Sequence, residues 1–137
     1  LLGRAEIAFD RGDYRAAEEL ASRYLRHVPT QNRTDRASGL DLLVRALSGL
    51  AEWDRAKTAL AELSDIATLV ATIPLRGAAS FAEGYVALAE GRFDAARKHL
   101  EDAVDLFVQS GAPFVNRLCH RCSRGLRGLP FIVCTIR

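Results

Sequence analysis

The sequence predicts an all-α protein, a right-handed solenoid of three antiparallel helix hairpins followed by an irregular C-terminal tail. Three observations lead to this fold class. A short motif recurs three times at nearly constant spacing, apolar residues follow each copy at helical steps, and the composition changes abruptly near Gly111. Repetition at a period of about 40 residues is typical of stacked helical units.

The repeated motif has a small residue, an aromatic residue two positions later and an alanine three positions after that. Its copies lie 39 and 40 residues apart, at residues 12–17, 51–56 and 91–96. Gly12 and Gly91 fit the left-handed backbone position that ends many helices. Because a left-handed alanine costs about 1–2 kcal/mol, we expect the turn at Ala51 to differ from the other two.

An apolar stripe continues from each motif copy into the next helix. Steps of three and four residues place its members on one helix face. The aligned columns are Tyr14, Trp53 and Phe93; Ala17, Ala56 and Ala96; Ala21, Leu60 and Leu100; Tyr24, Leu63 and Ala103; and Val28, Ala67 and Phe107. We expect the aromatic and alanine columns to be packed between helices, so that truncating a buried Trp53 or Phe93 would cost about 3–5 kcal/mol.

Each unit is therefore predicted to consist of a helix A, a tight turn and a helix B. Small residues in helix A, such as Gly84 and Ala87, predict that the two helices approach each other closely. Helix B of the first unit should end near Pro29, and Asn32 or Thr34 should cap the following helix. The resulting repeats span about residues 1–30, 34–71 and 74–111.

Local chemistry also predicts the remaining helix ends. The second helix B runs on to about Val70. Pro74 fits the first turn of the next helix, with Thr72 as its cap. The last helix should end near Ser110 and Gly111.

The composition divides the chain into a repeat domain, residues 1–112, and an atypical basic tail, residues 113–137. Residues 1–108 carry 14 Lys and Arg against 17 Asp and Glu, whereas residues 109–137 carry five Arg and no acidic residue. All three cysteines lie in the tail. An odd number of cysteines, with none in the repeats, argues against a disulfide scaffold and predicts a cytoplasmic protein.

The tail contains the chain's one cluster of potential metal ligands, which comprises Cys119, His120, Cys122 and Cys134. The Cys-x-x-Cys spacing is a zinc-ligand spacing, but a structural site needs four ligands and the second half here is a lone cysteine. We therefore expect no metal and no cofactor, with zinc as an alternative. Five scattered arginines are weak evidence for nucleic-acid binding, so we expect none, with nucleic-acid binding through the tail kept beside zinc as a second alternative function. The tail is either disordered or adds a capping helix over residues 115–122.

The motif residues resemble the tetratricopeptide repeat, or TPR. Gly12, Tyr14, Ala17 and Pro29 match that family's pattern in register, whereas the second unit lacks its glycines and proline. The usual period of that family is 34 residues, and the longer period here is similar to the helical arrays of large LuxR-type bacterial regulators. The resemblance implies a protein-interaction module, the sensing or scaffolding array of such a regulator. The sequence contains no phosphate-binding loop of the ATPases and no evident helix-turn-helix.

Arrays of this family bind partners on the concave face, which helix A lines. By register, the residues on that face include Glu6, Phe9, Asp41, Arg45, Ser48, Phe81, Tyr85 and Leu88. One interpretation is a groove with aromatic anchors and charged groups that orient a protein or peptide. The other is that the short array fills its own groove with neighbouring side chains. A small-ligand pocket gated by Tyr85 or Trp53 is the alternative function.

No arrangement of residues in the sequence indicates an enzyme. His27 and His99 fall at helix surface positions without a nucleophile in matching register, and adjacent carboxylates such as Glu18 and Glu19 fit solvated helix faces. No apolar segment approaches the roughly 20 residues that cross a bilayer, so we expect no membrane partner. A short array leaves apolar end faces, which predicts a homodimer through the exposed repeat ends.

Overall fold

The computed structural model describes residues 1–111, which form six α-helices and no strand. The helices are α1 (Leu2–Asp10), α2 (Tyr14–His27), α3 (Arg33–Gly49), α4 (Trp53–Val70), α5 (Ile73–Ala89) and α6 (Phe93–Ser110). The predicted all-α class is confirmed for this part of the chain. The predicted basic tail, with its cysteines and its candidate capping helix, lies outside the described residues.

Helix α3 is the most connected element of the fold. Each helix packs against the next one along the chain, and α3 packs in addition against α1 and α5. One apolar cluster joins α3, α4 and α5 around Val44 and Leu63, and another joins α1, α2 and α3 around Phe9 and Leu42. The core therefore extends along the chain as a series of shared interfaces, and α3 contributes to both clusters.

Three turns, after α1, α3 and α5, share one backbone geometry. Gly12, Ala51 and Gly91 all have positive φ angles, of 80°, 58° and 81°. In each turn the next residue donates its N–H to the carbonyl five residues earlier, as Glu52 does to Leu47 at 3.0 Å. The expectation that the turn at Ala51 differs is wrong, because the hydrogen bonds that close the helix impose the left-handed conformation on alanine as well.

Replacing Ala51 with glycine is expected to stabilise the protein by about 0.5–1 kcal/mol. Relief of the left-handed strain contributes about 1–2 kcal/mol, and the greater entropy of glycine in the unfolded chain removes part of that gain. Gly91→Ala is the matched control, because no atom lies within 4 Å of a Cβ added there and only the backbone conformation opposes it. Urea unfolding of both variants should give changes of opposite sign, and a destabilised Ala51→Gly variant would contradict this account.

The predicted helix ends agree with the observed ones. Asn32 is the N-cap of α3, where its side chain accepts a hydrogen bond from the Asp35 N–H at 3.5 Å. Thr72 is the N-cap of α5, and proline occupies the first turn of that helix. Gly111 ends α6 in the left-handed conformation, with φ of 66°. Local chemistry therefore located these boundaries to within a residue or two.

Helices α5 and α6 share the most extensive contact in the fold, and Gly84 makes their close approach possible. A Cβ atom built on Gly84 would lie 2.8 Å from Cγ of Leu100 and 3.2 Å from Cβ of His99. Leu100 therefore packs directly on the bare backbone of α5. The prediction that small residues of helix A allow this approach is confirmed at Gly84.

The aromatic column is not uniformly buried. Tyr14 and Trp53 are half-buried, and the Tyr14 ring packs on the backbone of Gly49, in the helix that follows its own. Phe93 is 54% exposed, so the expectation that this side chain is packed between helices is wrong. The reason is positional, because no helix follows α6 among the described residues. The estimated cost of 3–5 kcal/mol for truncating Phe93 therefore does not apply.

Candidate binding site

A concavity of about 750 Å³ opens among α1, α3 and α5, with the ends of α4 and α6 at its edge. Its apolar lining comprises Leu2, Ala37, Val70, Pro74, Leu75, Ala78, Phe81 and Phe107. Its charged lining residues are Glu6, Asp41 and Arg45. Concave sites of roughly 300–1,000 Å³ with an apolar lining and a few polar groups are typical of ligand-binding pockets.

Four of the eight residues predicted to bind a partner line this concavity. Glu6 comes from α1, Asp41 and Arg45 come from α3, and Phe81 comes from α5. They come from three different helices, so the fold brings together residues that are far apart in the sequence. Phe9, Ser48, Tyr85 and Leu88 are not among the lining residues.

Arg45 is the central polar residue in the lining of the concavity. Its guanidinium carbon lies 5.1 Å from the centre of the Phe9 ring and 5.8 Å from the centre of the Phe81 ring. Its Nη2 atom pairs with Oδ2 of Asp41 at 2.7 Å, one helical turn away in α3. Tyr85 lies 6.3 Å from each of the two phenylalanine rings, so one aromatic cluster surrounds the cation.

The Arg45 side chain is only 2% exposed, although its charge is costly to remove from water. The aromatic faces and the Asp41 carboxylate offset part of that cost. Its Nε and Nη1 atoms and Oδ1 of Asp41 nevertheless have no hydrogen-bond partner among the described residues. The wall of the concavity therefore retains hydrogen-bonding capacity that neighbouring side chains do not use.

Several residues that were predicted to contact a partner are instead buried inside the protein. Phe9, Ser48 and Phe81 are buried, with exposed fractions of 9%, 5% and 4%. The Ser48 hydroxyl donates to the Val44 carbonyl at 2.8 Å, a bond within α3. The interpretation that neighbouring side chains fill the groove describes Phe9 and Ser48, whereas Phe81, although buried, still lines the concavity.

The helical register did not predict the lining residues that come from helix ends. Val70 and Phe107 come from the last turns of α4 and α6, and Leu75 and Ala78 come from the start of α5. Phe107 belongs to an apolar column, and its ring also packs on the backbone of Gly77. Its place in that column predicted that Phe107 is packed against another helix. That its ring lies at the edge of the concavity follows only from the three-dimensional arrangement of the helices.

A second depression of about 780 Å³ lies among α4, α5 and α6. Polar residues such as Ser64, Glu83 and Asp102 make up much of its lining, and it includes none of the predicted site residues. It has no aromatic lining residue, whereas Phe81 and Phe107 line the first concavity. The first concavity is therefore the better candidate binding site.

The two histidines of the described residues take part in helix contacts. His27 Nδ1 lies 2.8 Å from the carbonyl of Arg23, one turn back in α2. His99 Nδ1 lies 3.1 Å from Oε2 of Glu83, across the interface of α5 and α6. The His27 ring therefore bonds within its own helix, whereas the His99 ring connects α5 to α6.

An ion pair between a buried carboxylate and an exposed arginine connects α2 to α4. Glu18 Oε1 lies 2.6 Å from Nη2 of Arg55, and it also accepts a hydrogen bond from the Ser22 hydroxyl at 2.8 Å. Burial would raise the pKa of Glu18, but the bonds from Ser22 and Arg55, together with the charge of Arg55, lower it below its ordinary value of 4.5. The interpretation of Glu18 as part of a solvated helix face is therefore wrong.

The lowered pKa of Glu18 makes part of the stability depend on pH. A carboxyl group with a lowered folded-state pKa contributes stability above its unfolded pKa, and this contribution is lost as the pH falls through the folded value. We therefore expect Glu18→Gln to lower the melting temperature at pH 7. Below about pH 4, the melting temperatures of the variant and the wild type should lie closer together. Glu19, its exposed neighbour, provides the control Glu19→Gln. An equal difference at both pH values would contradict this role.

No protein-family model, curated protein or solved structure matches this chain. The resemblance to the TPR family therefore stays a prediction carried by the motif residues. None of the six described helices is long and apolar enough to cross a membrane. Residues 1–111 contain no group of three His, Cys, Asp or Glu side chains that could hold a metal ion, and the candidate zinc ligands of the tail lie outside this range.

Proposed function

We propose that residues 1–111 form a TPR-like, right-handed solenoid of three antiparallel hairpins that binds a protein or peptide segment. In this arrangement α1–α2, α3–α4 and α5–α6 are the hairpins. The three turns, which share one hydrogen-bond pattern and a positive φ angle, support it, as does the packing of α3 against both α1 and α5. Helices α1, α3 and α5 then line the concave side, and the concavity described above is the binding site.

One observation carries the functional part of this proposal. Glu6, Asp41, Arg45 and Phe81 come from three successive helices A and converge on one mostly apolar concavity. A surface contributed by several repeats in register is how solenoids build extended binding faces. A buried apolar anchor with a polar rim is also the usual anatomy of a protein interface.

The lining indicates the chemistry of the partner segment. Its apolar part accepts an aliphatic or aromatic side chain. The acidic Glu6 lies beside it, whereas Asp41 already pairs with Arg45. Residues 1–108 carry three more acidic than basic side chains. Because opposite charge steers association, we propose a segment with an apolar anchor flanked by basic residues.

A displayed library of random peptides, selected on the full chain, tests this function. Ala78 is half-buried in the lining, so Ala78→Trp should fill the concavity. Ala95 on α6 is also half-buried but lies outside the lining, which makes Ala95→Trp the matched control. We expect selected peptides to bind the Ala95→Trp variant normally and the Ala78→Trp variant at least tenfold more weakly. Peptides that bind both variants equally, or a selection without enrichment, would refute the proposal.

A small-ligand site is the second candidate, because Arg45 and Asp41 retain unpaired polar atoms in the wall of the concavity. A ligand that binds only the folded state raises the melting temperature. A thermal-shift screen of small polar amphiphiles against the wild type and the Ala78→Trp variant tests this alternative. Ligands that stabilise only the wild type would support it, whereas a screen without any stabilising compound would exclude it for that library.

The resemblance to the arrays of LuxR-type regulators supports a sensing or scaffolding role within a larger cytoplasmic protein. Arg45 and Tyr85 are the residues to change in such a protein, because they belong to the aromatic cluster of the concave face. We expect their substitution to alter regulation. Because Arg45 is buried, the variants are compared with the wild type at equal amounts of folded protein. Unchanged regulation would argue against this role.

A further inference from the structure

We propose that residues 129–136, in the basic tail, bind in the concavity of the same chain and compete there with an external partner. The inference rests on the proposed function, because it takes the concavity to be a peptide-binding site. An external segment would then bind the protein only while residues 129–136 are out of the concavity.

The sequence of residues 129–136 has the chemistry that the lining requires of a partner. These eight residues include two Ile, one Leu, one Val and one Phe, and none of them is charged. Arg124 and Arg127 precede the segment, and Arg137 follows it. The chain therefore contains its own apolar anchor flanked by basic residues, which is the kind of segment proposed above for the partner.

The concavity suits this segment better than the second depression does. Large apolar residues such as Leu75, Phe81 and Phe107 line the concavity. The second depression has more acidic residues in its lining, but Leu106 is the only apolar lining residue there that is larger than alanine. Because burying a large apolar side chain stabilises a contact more than an exposed ion pair does, the apolar segment favours the concavity.

Charge adds to this match. Asp41 and Arg45 neutralise each other in the lining, so Glu6 gives the lining its net negative charge. Residues 1–108 have three more acidic than basic side chains, whereas residues 113–137 have five Arg and no acidic residue. Opposite charge on two parts of one chain favours their association, so a site that attracts basic segments also attracts the tail.

The tail leaves the repeats beside the concavity. Phe107 lies at its edge, and α6 ends one turn later at Ser110. Residues 112–128 connect Gly111 to the segment and can span up to about 55 Å when extended. Helix α5, which contributes to the lining, has 17 residues and is therefore about 25 Å long. The connection can thus reach every part of the concavity.

Covalent attachment makes even a weak match sufficient. A segment tethered this close to its site has an effective concentration on the order of 1 mM. It therefore occupies the site in more than about half of the molecules whenever its affinity as a separate peptide is better than about 1 mM. An external partner binds only the molecules in which the concavity is open, and its apparent affinity falls in proportion to their fraction.

The tail cysteines allow this contact to be tested in the full chain. All three cysteines lie in the tail, and Cys134 lies within the segment. In a chain with Cys119→Ser and Cys122→Ser, the change Ala78→Cys places a second thiol in the lining of the concavity. We expect this thiol to form an intramolecular disulfide with Cys134 in a glutathione redox buffer. Mass spectrometry of peptides from the unreduced protein identifies the bond.

Two control positions, in the same background, report random encounters of the tail with the surface. Ala95→Cys gives a half-buried thiol on α6 outside the linings of both depressions. Thr68→Cys gives a thiol in the second depression at an exposed position, so slower bonding there would not come from poor access. Because a disulfide requires Cα atoms within about 7 Å of each other, we expect the bond to Cys134 to form about fivefold faster, or more, from position 78 than from either control.

Peptides selected for binding to the concavity measure the competition directly. Phe131→Asp with Ile132→Asp removes the apolar anchor of the segment, and we expect it to tighten peptide binding by about threefold or more. Asn116→Asp with Ser123→Asp is the matched control, because it changes the charge of the tail equally and leaves residues 129–136 intact. The control pair should tighten peptide binding less.

Equal rates of disulfide formation from positions 78, 95 and 68, or a faster rate from position 68, would overturn the inference. So would a disulfide-linked dimer in place of the intramolecular bond, because the segment would then occupy a second copy. The crosslinking needs no external peptide, so faster bonding from position 78 supports the docking even if the peptide selection fails. Conversely, peptides that distinguish Ala78→Trp from Ala95→Trp but bind equally to both tail variants would support the proposed function and refute the competition.

Discussion

Replacing Asp41 with alanine is expected to lower the free energy of unfolding by about 3 kcal/mol, because it leaves the buried Arg45 guanidinium without its carboxylate partner. Asp41 Oδ2 lies 2.7 Å from Arg45 Nη2, and the arginine side chain is 2% exposed. The two flanking phenylalanine rings attract the cation but do not accept strong hydrogen bonds. The loss should be measured by urea unfolding at neutral pH.

Two further variants separate the charge from the packing at this position. Asp41→Asn keeps a hydrogen-bond acceptor near Arg45 and should therefore lose less stability than Asp41→Ala. The double variant Asp41→Leu with Arg45→Met should recover most of the lost stability, because an apolar pair of similar volume often equals or exceeds a buried ion pair. A double variant that is less stable than Asp41→Ala alone would show that Arg45 is held mainly by its aromatic neighbours.

Replacing Gly84 with leucine is expected to destabilise the protein by about 3 kcal/mol, because no space exists for a side chain between α5 and α6. The Cβ atom alone would lie 2.8 Å from Leu100 Cγ, and the rest of the side chain would have to displace that residue or separate the helices. The better helix propensity of leucine, about 1 kcal/mol relative to glycine, offsets part of this cost.

Gly3→Leu is the control for the effect of helix propensity, since no atom lies within 4 Å of a Cβ added to Gly3 in α1. At protein concentrations low enough to avoid association, this variant should be as stable as the wild type or slightly more stable. The companion change Leu100→Ala should partly rescue Gly84→Leu by making room at the same contact. Equal effects of leucine at positions 3 and 84 would contradict the close-approach argument.

The turn at Ala51 shows where a local argument from sequence fails. The cost of a left-handed alanine predicted a different turn, but the backbone has the geometry of the two glycine turns, with φ of 58°. A strain of about 1–2 kcal/mol is small compared with the burial of the helices on either side. Tertiary packing therefore overrides the preference of a single residue.

Phe93 illustrates the opposite failure. Its position in the same aligned column as Tyr14 and Trp53 predicted that Phe93 is buried, but its side chain is 54% exposed. Periodicity shows which face of a helix is apolar, but it does not show whether another element covers that face. A repeat sequence carries the same pattern at its ends as in its interior, so burial at the ends depends on what lies beyond them.

Of the residues that register assigned to one face, Glu6, Asp41, Arg45 and Phe81 line the same concavity. The extent of their burial did not follow from register. Arg45 lies between two aromatic rings, and its side chain is only 2% exposed. The distances between α1, α3 and α5 determine whether such a residue reaches solvent, and the sequence contains no direct measure of those distances.

The sequence by itself determined the helical class, the helix ends and the apolar face of each helix, because hydrophobic periodicity and capping chemistry act over a few neighbouring residues. Only the tertiary structure decided that Arg45 is enclosed, that Glu18 is buried in an ion pair and that Ile7 and Phe93 are open. These properties depend on how closely helices distant in the sequence approach one another. That approach is fixed by side-chain volumes on several helices at once.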